Sequence, residues 1–389
     1  MTNTIYQYKM PTELIFGRGA AEQVGKIAAS LGAQTAMVVT DPGVTKAGLL
    51  QGIIASLEAA KINYIVFDQV ESDPSTQLVM NVTEIAKTNN CNLIIGVGGG
   101  SALDASKAIA AMVTNPGDIS EYAGIGKLKN PTLPVIAIPT TAGTGSEATY
   151  WSVLTNKQTK LKAGVGSWYL MPTVALADPL LTLSLPASLT ASTGMDALTH
   201  AIESYVCTAT QPISEAMSEK AIALIGRSLR KAVVNGRDIQ AREDMLYASM
   251  IAALAFNVTR LGLAHAFVVP AAAYFPIPHG IGNAILLPHV MEFNYLACPE
   301  KFAKIAELMG EDIRGLSVLE AAQKSVTAVK SLMKDIGIIK GLRQFGVTEN
   351  DLPHLAEEAA KTGNVPVNPR VANVQDIINI AQKALDGIA

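Results

Sequence analysis

The stretch NLIIGVGGGSALDASKAIAA (92–111) predicts the fold of the first half of the chain. NLIIGVG (92–98) is a short apolar run typical of a strand buried on both faces of a parallel sheet, and the alanine-rich end is typical of a helix. Between them, Gly98, Gly99, Gly100 and Ser101 lie where backbone N–H groups and the helix dipole can hold a diphosphate. The run matches neither GxGxxG nor the Walker loop, so a tight turn without a ligand stays open as the alternative.

Similar runs occur on both sides of this stretch. They are TAMVVT (35–40), NYIVF (63–67), PVIAIPT (134–140) and TVALAD (173–178). Amphipathic stretches such as 20–31 and 76–88 separate them, which is the alternation that a parallel sheet requires. We therefore predict an α/β domain with a doubly wound parallel sheet.

From Pro186 onward, Ala, Leu, Met and Glu recur at helical spacing, as in EDMLYASMIAALAF (243–256) and LEAAQKSVTAVKSLMKDI (319–336). The second half is therefore predicted to be all helical. A boundary near Leu185, where LSLPAS offers a Pro suited to opening a helix, gives two domains over residues 1–185 and 186–389.

Composition limits the function and the cellular location. At 389 residues with 49% apolar and 16% charged residues, the chain can bury two cores. A net charge of -3 argues against nucleic acid and favours a small-molecule partner. Three scattered cysteines without CxxC spacing fit a reducing cytoplasm. The longest apolar stretch, 261–278, contains His265 and three prolines, so we expect no membrane span.

A second nucleotide signal is IPTTAGTGSEAT (138–149), in which Thr140, Thr141 and Thr144 offer hydroxyls after a strand. Two strand ends that meet at one crevice form the usual nucleotide site of an open α/β sheet, although an ordinary Ser/Thr-rich loop is the alternative. Asp41 directly follows another strand. Its carboxylate can accept hydrogen bonds from ribose hydroxyls and repel a 2′-phosphate, which favours NAD over NADP. The alternative is that Asp41 only begins a helix in a DPG turn.

The motif TGMDALTHAIESYV (193–206) indicates a metal site. Asp196 and His200 are four residues apart and share one helix face, and His265 and His279 follow in a distant segment. Three imidazoles and one carboxylate suit Fe(II) or Zn(II), whereas Mg(II) and Ca(II) prefer oxygen. Taken singly, an Asp and a His four residues apart are more often a surface pair or a capped turn than a ligand pair. His265 could equally be a core histidine, and His279 could be a turn residue.

Because GGGSALDASK, PTTAGTGSEAT, TGMDALTHAIESYV and LGLAHAFVVPAAAYFPIPHGIGNAILLPHVMEFN occur in this order, the chain resembles the iron-containing (group III) alcohol dehydrogenase family over essentially its full length. The resemblance implies an NAD-dependent alcohol dehydrogenase or aldehyde reductase. It also implies Fe2+, with Zn2+ or Mn2+ as other metals, a metal-binding C-terminal domain, and a homodimer or larger assembly.

The same resemblance assigns roles to individual residues. It implies that Asp196, His200, His265 and His279 are the metal ligands. It gives the glycine run and Ser101 to the diphosphate, the three threonines to nucleotide contacts, and Asp41 and Lys162 to the ribose or its surroundings. Asp104 lies in the family's GGGSxxDxxK pattern and is assigned to the cofactor region.

Two departures from the family pattern affect the substrate and the proton path. Val269 stands where family members commonly carry a histidine, so the usual proton relay is missing. Arg260 stands where small residues are usual, which predicts an anionic substrate such as sulfoacetaldehyde/isethionate or a semialdehyde/hydroxy acid pair. The alternatives are a structural Arg260 with a neutral short-chain alcohol or diol as substrate, and a non-catalytic nucleotide or metal sensor.

Overall fold

The structure is a computed structural model that describes residues 5–156 and 161–388, with the side chains of 161–163 outside that description. The strands are β1 (Glu13–Phe16), β2 (Thr35–Val39), β3 (Asn63–Phe67), β4 (Leu93–Gly98), β5 (Gly124–Ile125), β6 (Val135–Pro139), β7 (Trp151–Asn156), β8 (Leu161–Gly166) and β9 (Val174–Ala177). The α-helices are α1 (Val24–Ser30), α2 (Pro42–Lys46), α3 (Gln51–Ala59), α4 (Thr76–Thr88), α5 (Gly100–Thr114), α6 (Ala187–Val206), α7 (Pro212–Val234), α8 (Ile239–Thr259), α9 (Leu263–Tyr274), α10 (His279–Asn294), α11 (Pro299–Leu308), α12 (Val318–Asp335), α13 (Leu352–Ala360) and α14 (Val374–Ala384).

The chain divides into two compact units. One is Pro11–Leu185, which carries all nine described strands, and the other is Pro186–Ala389 together with the described part of residues 1–10. The N-terminal residues group with the helical unit because Tyr8 donates a hydrogen bond to Leu254 O (3.2 Å) and Gln211 donates one to Gln7 O (3.2 Å).

The first unit is built on a parallel six-stranded sheet with the order β1-β9-β6-β4-β2-β3. Side chains alternate between its faces, as the pleat requires. Met37 and Ile94 enter a core shared with α4 and α5, while Val38 and Ile95 enter a second core shared with α1 and α3. Helices therefore cover both faces, which confirms the predicted doubly wound α/β class.

The strand order reverses direction between β2 and β4. From β2 the chain proceeds outward to β3, whereas from β4 it proceeds the other way to β6 and then to β9, which lies beside the N-terminal strand β1. In open α/β sheets, ligands bind beyond the carboxyl ends of the strands at this switch point. Asp41 and the glycine run follow the two strands that flank it.

A second, three-stranded sheet of order β5-β8-β7 was not predicted. β7 and β8 form an antiparallel pair, and a single short parallel pairing joins β5 to β8. Trp151 lies over Gly164 and Gly166 of the partner strand, where an added Cβ would come within 3.2 and 2.7 Å of the indole ring. In the sequence, the two strands connect the threonine-rich loop, residues 138–149, to β9.

The second unit is helical throughout its regular elements, as predicted. Its central helix is α6, which begins after Pro186, packs against α7, α8 and α10, and buries nearly every side chain from Thr190 to Val206. Within the described residues, no single helix has the length and apolarity to cross a membrane. Helices α8 and α9 reach this length and apolarity only when they are counted as one segment, and the chain bends by 97° between them.

Candidate functional site

Helices α6, α9 and α10 bring the four predicted metal ligands together. Asp196 and His200 lie one turn apart on α6, His265 lies in the first turn of α9, and His279 is the first residue of α10. Asp196 Oδ1 lies 4.0 Å from His200 Nε2 and 3.7 Å from Nε2 of both His265 and His279. One ligand atom from each residue lies within 4.8 Å of the other three. Two segments distant in sequence thus converge on one point, and we call these four residues the ligand cluster.

The ligand cluster is buried except on one side. The side chains of Asp196 and His265 are each 3% exposed, while that of His279 is 36% exposed. Burial alone would raise the pKa of Asp196, but the charges of His200 and His279 and the contact with His265 hold it well below its usual range. Burial alone would lower the pKa of His265, and Glu203 and Asp196 together raise it to about 9. A carboxylate among three imidazoles is therefore poised to stay ionised.

The donor set fits a divalent transition metal. A tetrahedral ion with ligands about 2.1 Å away separates neighbouring ligand atoms by roughly 3.4 Å, close to the 3.7 Å distances from Asp196. Asn283 supplies a second observation, because its Nδ2 lies 2.8 Å from Asp196 Oδ1, 2.9 Å from His265 Nε2 and 3.2 Å from His279 Nε2. One amide nitrogen lies within hydrogen-bond distance of all three atoms, so these atoms surround a common region.

Sequence reasoning missed Asn283 and Glu203. Asn283 lies one turn after His279 on α10, and Glu203 lies one turn after His200 on α6. Glu203 Oε2 accepts a hydrogen bond from His265 Nδ1 at 2.6 Å. The spacing was the available signal, since polar residues three or four positions after a ligand share its helix face.

The predicted nucleotide residues lie together at the carboxyl edge of the six-stranded sheet. Thr40 Oγ1 donates to Val97 O (2.7 Å) and Thr140 N donates to Gly98 O (3.0 Å), which joins the ends of β2, β4 and β6. Gly99 is the N-cap of α5, and no side chain caps that helix end. The first N–H groups of α5 therefore face this edge with the positive end of the helix dipole.

Close packing explains two of the glycines. Gly98 has φ +150°, and a Cβ there would lie 2.7 Å from Ala102 Cβ. A Cβ on Gly100 would lie 2.7 Å from Thr144 Cγ2. The two predicted loops therefore touch, and side chains at these positions would push them apart.

Asp41 caps a helix and also lies beside the glycine run. Its Oδ1 accepts hydrogen bonds from Gly43 N (2.8 Å) and Val44 N (3.1 Å), so the residue caps α2. Its Oδ2 lies 3.1 Å from the point that a Cβ on Gly98 would occupy, so the same carboxylate also faces the glycine run. One oxygen therefore stabilises the helix, and the other borders the nucleotide edge.

Asp104 and Lys107 contact protein groups inside this unit. Asp104 accepts hydrogen bonds from Ser146 Oγ (2.5 Å) and Val153 N (2.9 Å), and buried Lys107 donates to Ser146 O (3.0 Å). These bonds tie α5 to the end of the threonine-rich loop. The predicted cofactor residue Lys162 is in β8, but its side chain lies outside the described residues.

Arg260 and Val269 flank His265 in the sequence. Arg260 follows the last residue of α8, is exposed, and has a left-handed backbone with φ +67°. Its Nη1 lies 2.0 Å from the point that a Cβ on Gly363 would occupy, and among the described residues no carboxylate forms an ion pair with it. Val269 is half-buried in α9 and supplies no proton-transferring group on the His265 face.

Two family profiles match the chain: "Iron-containing alcohol dehydrogenase" over residues 11–179 and "Fe-containing alcohol dehydrogenase family, C-terminal" over residues 190–385. The chain is similar to 1,3-propanediol dehydrogenase of Klebsiella pneumoniae, with 45% identity across 99% of this chain and 100% of that protein. It is also similar to NAD-dependent methanol dehydrogenase of Bacillus methanolicus, with 40% identity across 99% and 100%.

The fold is similar to the crystal structure of sulfoacetaldehyde reductase from Bifidobacterium kashiwanohense in complex with NAD+. The TM-score is 0.89 and the identity 32%, across 98% of this chain and 99% of that one. The profiles together span both structural units, and the relatives match over nearly their full length. From these matches and the ligand cluster we conclude that the chain is an alcohol/aldehyde oxidoreductase that belongs to the iron-containing alcohol dehydrogenase family.

Proposed function

We propose that the protein interconverts a short-chain alcohol and its aldehyde with NAD(H) and a divalent metal ion, Fe2+ first, and Zn2+ or Mn2+ as substitutes. The observation that carries the proposal is the convergence of the ligand cluster, with four ligand atoms within 4.8 Å of one another. When bound, such an ion supplies a Lewis acid for the substrate oxygen, and the nicotinamide supplies or accepts the hydride.

The residues of the chain bind and orient in this scheme. Asp196, His200, His265 and His279 would hold the ion, and the partial exposure of His279 leaves one side of the cluster accessible. Because Val269 cannot carry a proton, the substrate proton leaves by a route other than a side chain at that position. Water and the ribose hydroxyls are the groups we propose for it.

The carboxyl edge of the sheet supports NAD(H) as the cofactor. The uncapped start of α5 and the glycine run suit a diphosphate. The Oδ2 atom of Asp41 beside Gly98 disfavours a 2′-phosphate, and two of the similar proteins carry NAD in their names or structures. We propose Thr140, Thr141 and Thr144 as further nucleotide contacts.

For the substrate, we propose a neutral short-chain alcohol or diol. The 1,3-propanediol dehydrogenase is more similar to this chain than the sulfoacetaldehyde reductase is, at 45% against 32% identity. The Arg260 guanidinium also lies against Gly363, which supports a structural role. The second candidate is an anionic aldehyde, and it is favoured by the absence of an ion-pair partner for Arg260 among the described carboxylates.

The test is an aldehyde screen on metal-defined protein. Purified protein is treated with a chelator, reloaded with Fe2+, Zn2+ or Mn2+, and assayed for NADH and NADPH oxidation with propanal, 3-hydroxypropanal and sulfoacetaldehyde. We expect metal-dependent turnover with NADH, highest on 3-hydroxypropanal. Binding of NADH without turnover on any aldehyde would instead support a sensor, and faster turnover of sulfoacetaldehyde would support the anionic class.

A further inference from the structure

Glu203 lies beneath the ligand cluster, in the interior of the helical unit. It is 2% exposed and occupies the face of α6 that also carries His200. Its carboxylate accepts three hydrogen bonds: Oε2 from Gly262 N (2.9 Å) and His265 Nδ1 (2.6 Å), and Oε1 from Ala264 N (2.7 Å). Three donors thus surround a group that can only accept.

These bonds determine the side of the His265 ring that carries the proton. A neutral imidazole has one N–H donor and one lone pair, and the donor at Nδ1 faces Glu203. The lone pair is therefore on Nε2, the atom that lies 3.7 Å from Asp196 Oδ1. A carboxylate behind a histidine in this way fixes the ring orientation and strengthens the ligand.

Glu203 also stabilises the helix that carries His265. Gly262 is the N-cap of α9, and Ala264 is its second residue, so two of the N–H groups that a helix start leaves unpaired are bonded to this carboxylate. Its negative charge lies at the positive end of the α9 dipole. One side chain of α6 therefore positions both the α9 backbone and the His265 ring.

We infer that Glu203 is a positioning residue for the metal site: it selects the Nδ1–H tautomer of His265 and keeps Nε2 available as a ligand. The inference rests on the proposed function in one respect only, namely that the group bound by Nε2 is a metal ion. A residue of α6, the helix that also supplies Asp196 and His200, therefore orients the ring of His265.

Gly262 provides an independent way to disturb this contact. A Cβ on Gly262 would lie 2.9 Å from Glu203 Oε1 and 3.0 Å from its Cδ. The φ of Gly262 is -130°, which lies outside the left-handed region, and Gly262→Ala moves the carboxylate without removing its charge.

The experiment uses full-length protein and the variants Glu203→Gln and Gly262→Ala. Glu215→Gln is the matched control, since it makes the same chemical change at a carboxylate that pairs with Lys301 (2.6 Å) away from the cluster. The Kd for Zn2+ is measured by competition with a chelator. In metal-free protein with 15N-labelled histidine at alkaline pH, where the His265 ring is neutral, long-range proton–nitrogen NMR reads the tautomer, and the five histidines keep the spectrum assignable.

We expect both test variants to weaken Zn2+ binding by about 10- to 100-fold and to shift His265 from the Nδ1–H form to a mixture, while the control matches wild type. If both variants keep wild-type Zn2+ affinity and the Nδ1–H form, Glu203 only caps α9 and the inference is overturned. Should Glu203→Gln fail to fold, Gly262→Ala decides alone. Wild-type protein that binds none of Fe2+, Zn2+ and Mn2+ would overturn the proposed function, whereas the tautomer in metal-free protein still decides the role of Glu203.

Discussion

Asp196 Oδ1 and His200 Nε2 lie 4.0 Å apart on successive turns of α6. Asp196→Asn keeps the shape of the side chain and removes the negative charge among three imidazoles. We expect metal content to fall and the rate of aldehyde reduction to drop roughly 1000-fold, because several kcal/mol of charge stabilisation are lost. Metal analysis and kcat measure this. Asp244→Asn, which changes a buried carboxylate bonded to Arg227 and Ser228, is the control and should keep its metal.

Asp41→Asn tests the choice of nucleotide. Asparagine retains the N-cap of α2, so the helix should persist, but the charge next to Gly98 is lost. We expect the ratio of kcat/KM for NADPH to that for NADH to rise roughly 10-fold, since repulsion of the 2′-phosphate disappears. Asp118→Asn alters another capping carboxylate, which bonds Ser120 N, and should leave the ratio unchanged. An unchanged ratio in Asp41→Asn would place this carboxylate outside the ribose site.

Arg260→Ala separates the two substrate classes. Alanine and arginine are both strained by the positive φ at this position, so the substitution does not change the backbone strain. It removes only the contact of the guanidinium with Gly363. We expect kcat/KM for propanal and sulfoacetaldehyde to change by the same factor. A selective loss on sulfoacetaldehyde of about 10-fold or more would contradict the neutral-substrate proposal, because charged hydrogen bonds contribute roughly 1.5–3 kcal/mol.

His289 makes stability depend on pH. Burial lowers its pKa to about 4, against the opposing effect of Glu292. Between pH 6.5 and 4.5, His289 is protonated in the unfolded chain but stays neutral in the folded protein. The stability that the neutral, buried imidazole contributes is therefore present above pH 6.5 and is lost as the pH falls. We expect His289→Leu to reduce the loss of unfolding free energy over that range by roughly 2 kcal/mol. Urea unfolding measures it, and exposed His354→Leu should keep the wild-type slope.

Five strands of the six-stranded sheet could be predicted because each contains a continuous apolar run. NYIVF matches β3 without error, and the runs at β2, β4, β6 and β9 were each assigned within one residue at either end. The edge strand β1 and the β7–β8 pair were missed. β1 contains only three consecutive apolar residues after Glu13, and β7 alternates buried and exposed positions beside its partner, so both have shorter apolar runs than the strands that were predicted.

The ligand cluster was predictable in its members but not in its surroundings. Asp196 and His200 share a helix face by spacing alone, whereas their approach to His265 and His279 depends on how α6, α9 and α10 pack. The contact between Glu203 and His265 Nδ1 arises only from that packing. Spacing on one helix is a local property, but a hydrogen bond between helices depends on tertiary structure.

The pairing of β1 with β9 governs when the first unit can be completed during synthesis. Glu13–Phe16 pairs in register with Val174–Ala177, so the N-terminal strand has no partner until the ribosome has added almost 160 further residues. At cellular translation rates this takes roughly 10 to 30 s. Until residue 174 has been added, β1 has no partner strand, and its unpaired N–H and C=O groups can pair with another chain, which exposes the growing polypeptide to aggregation.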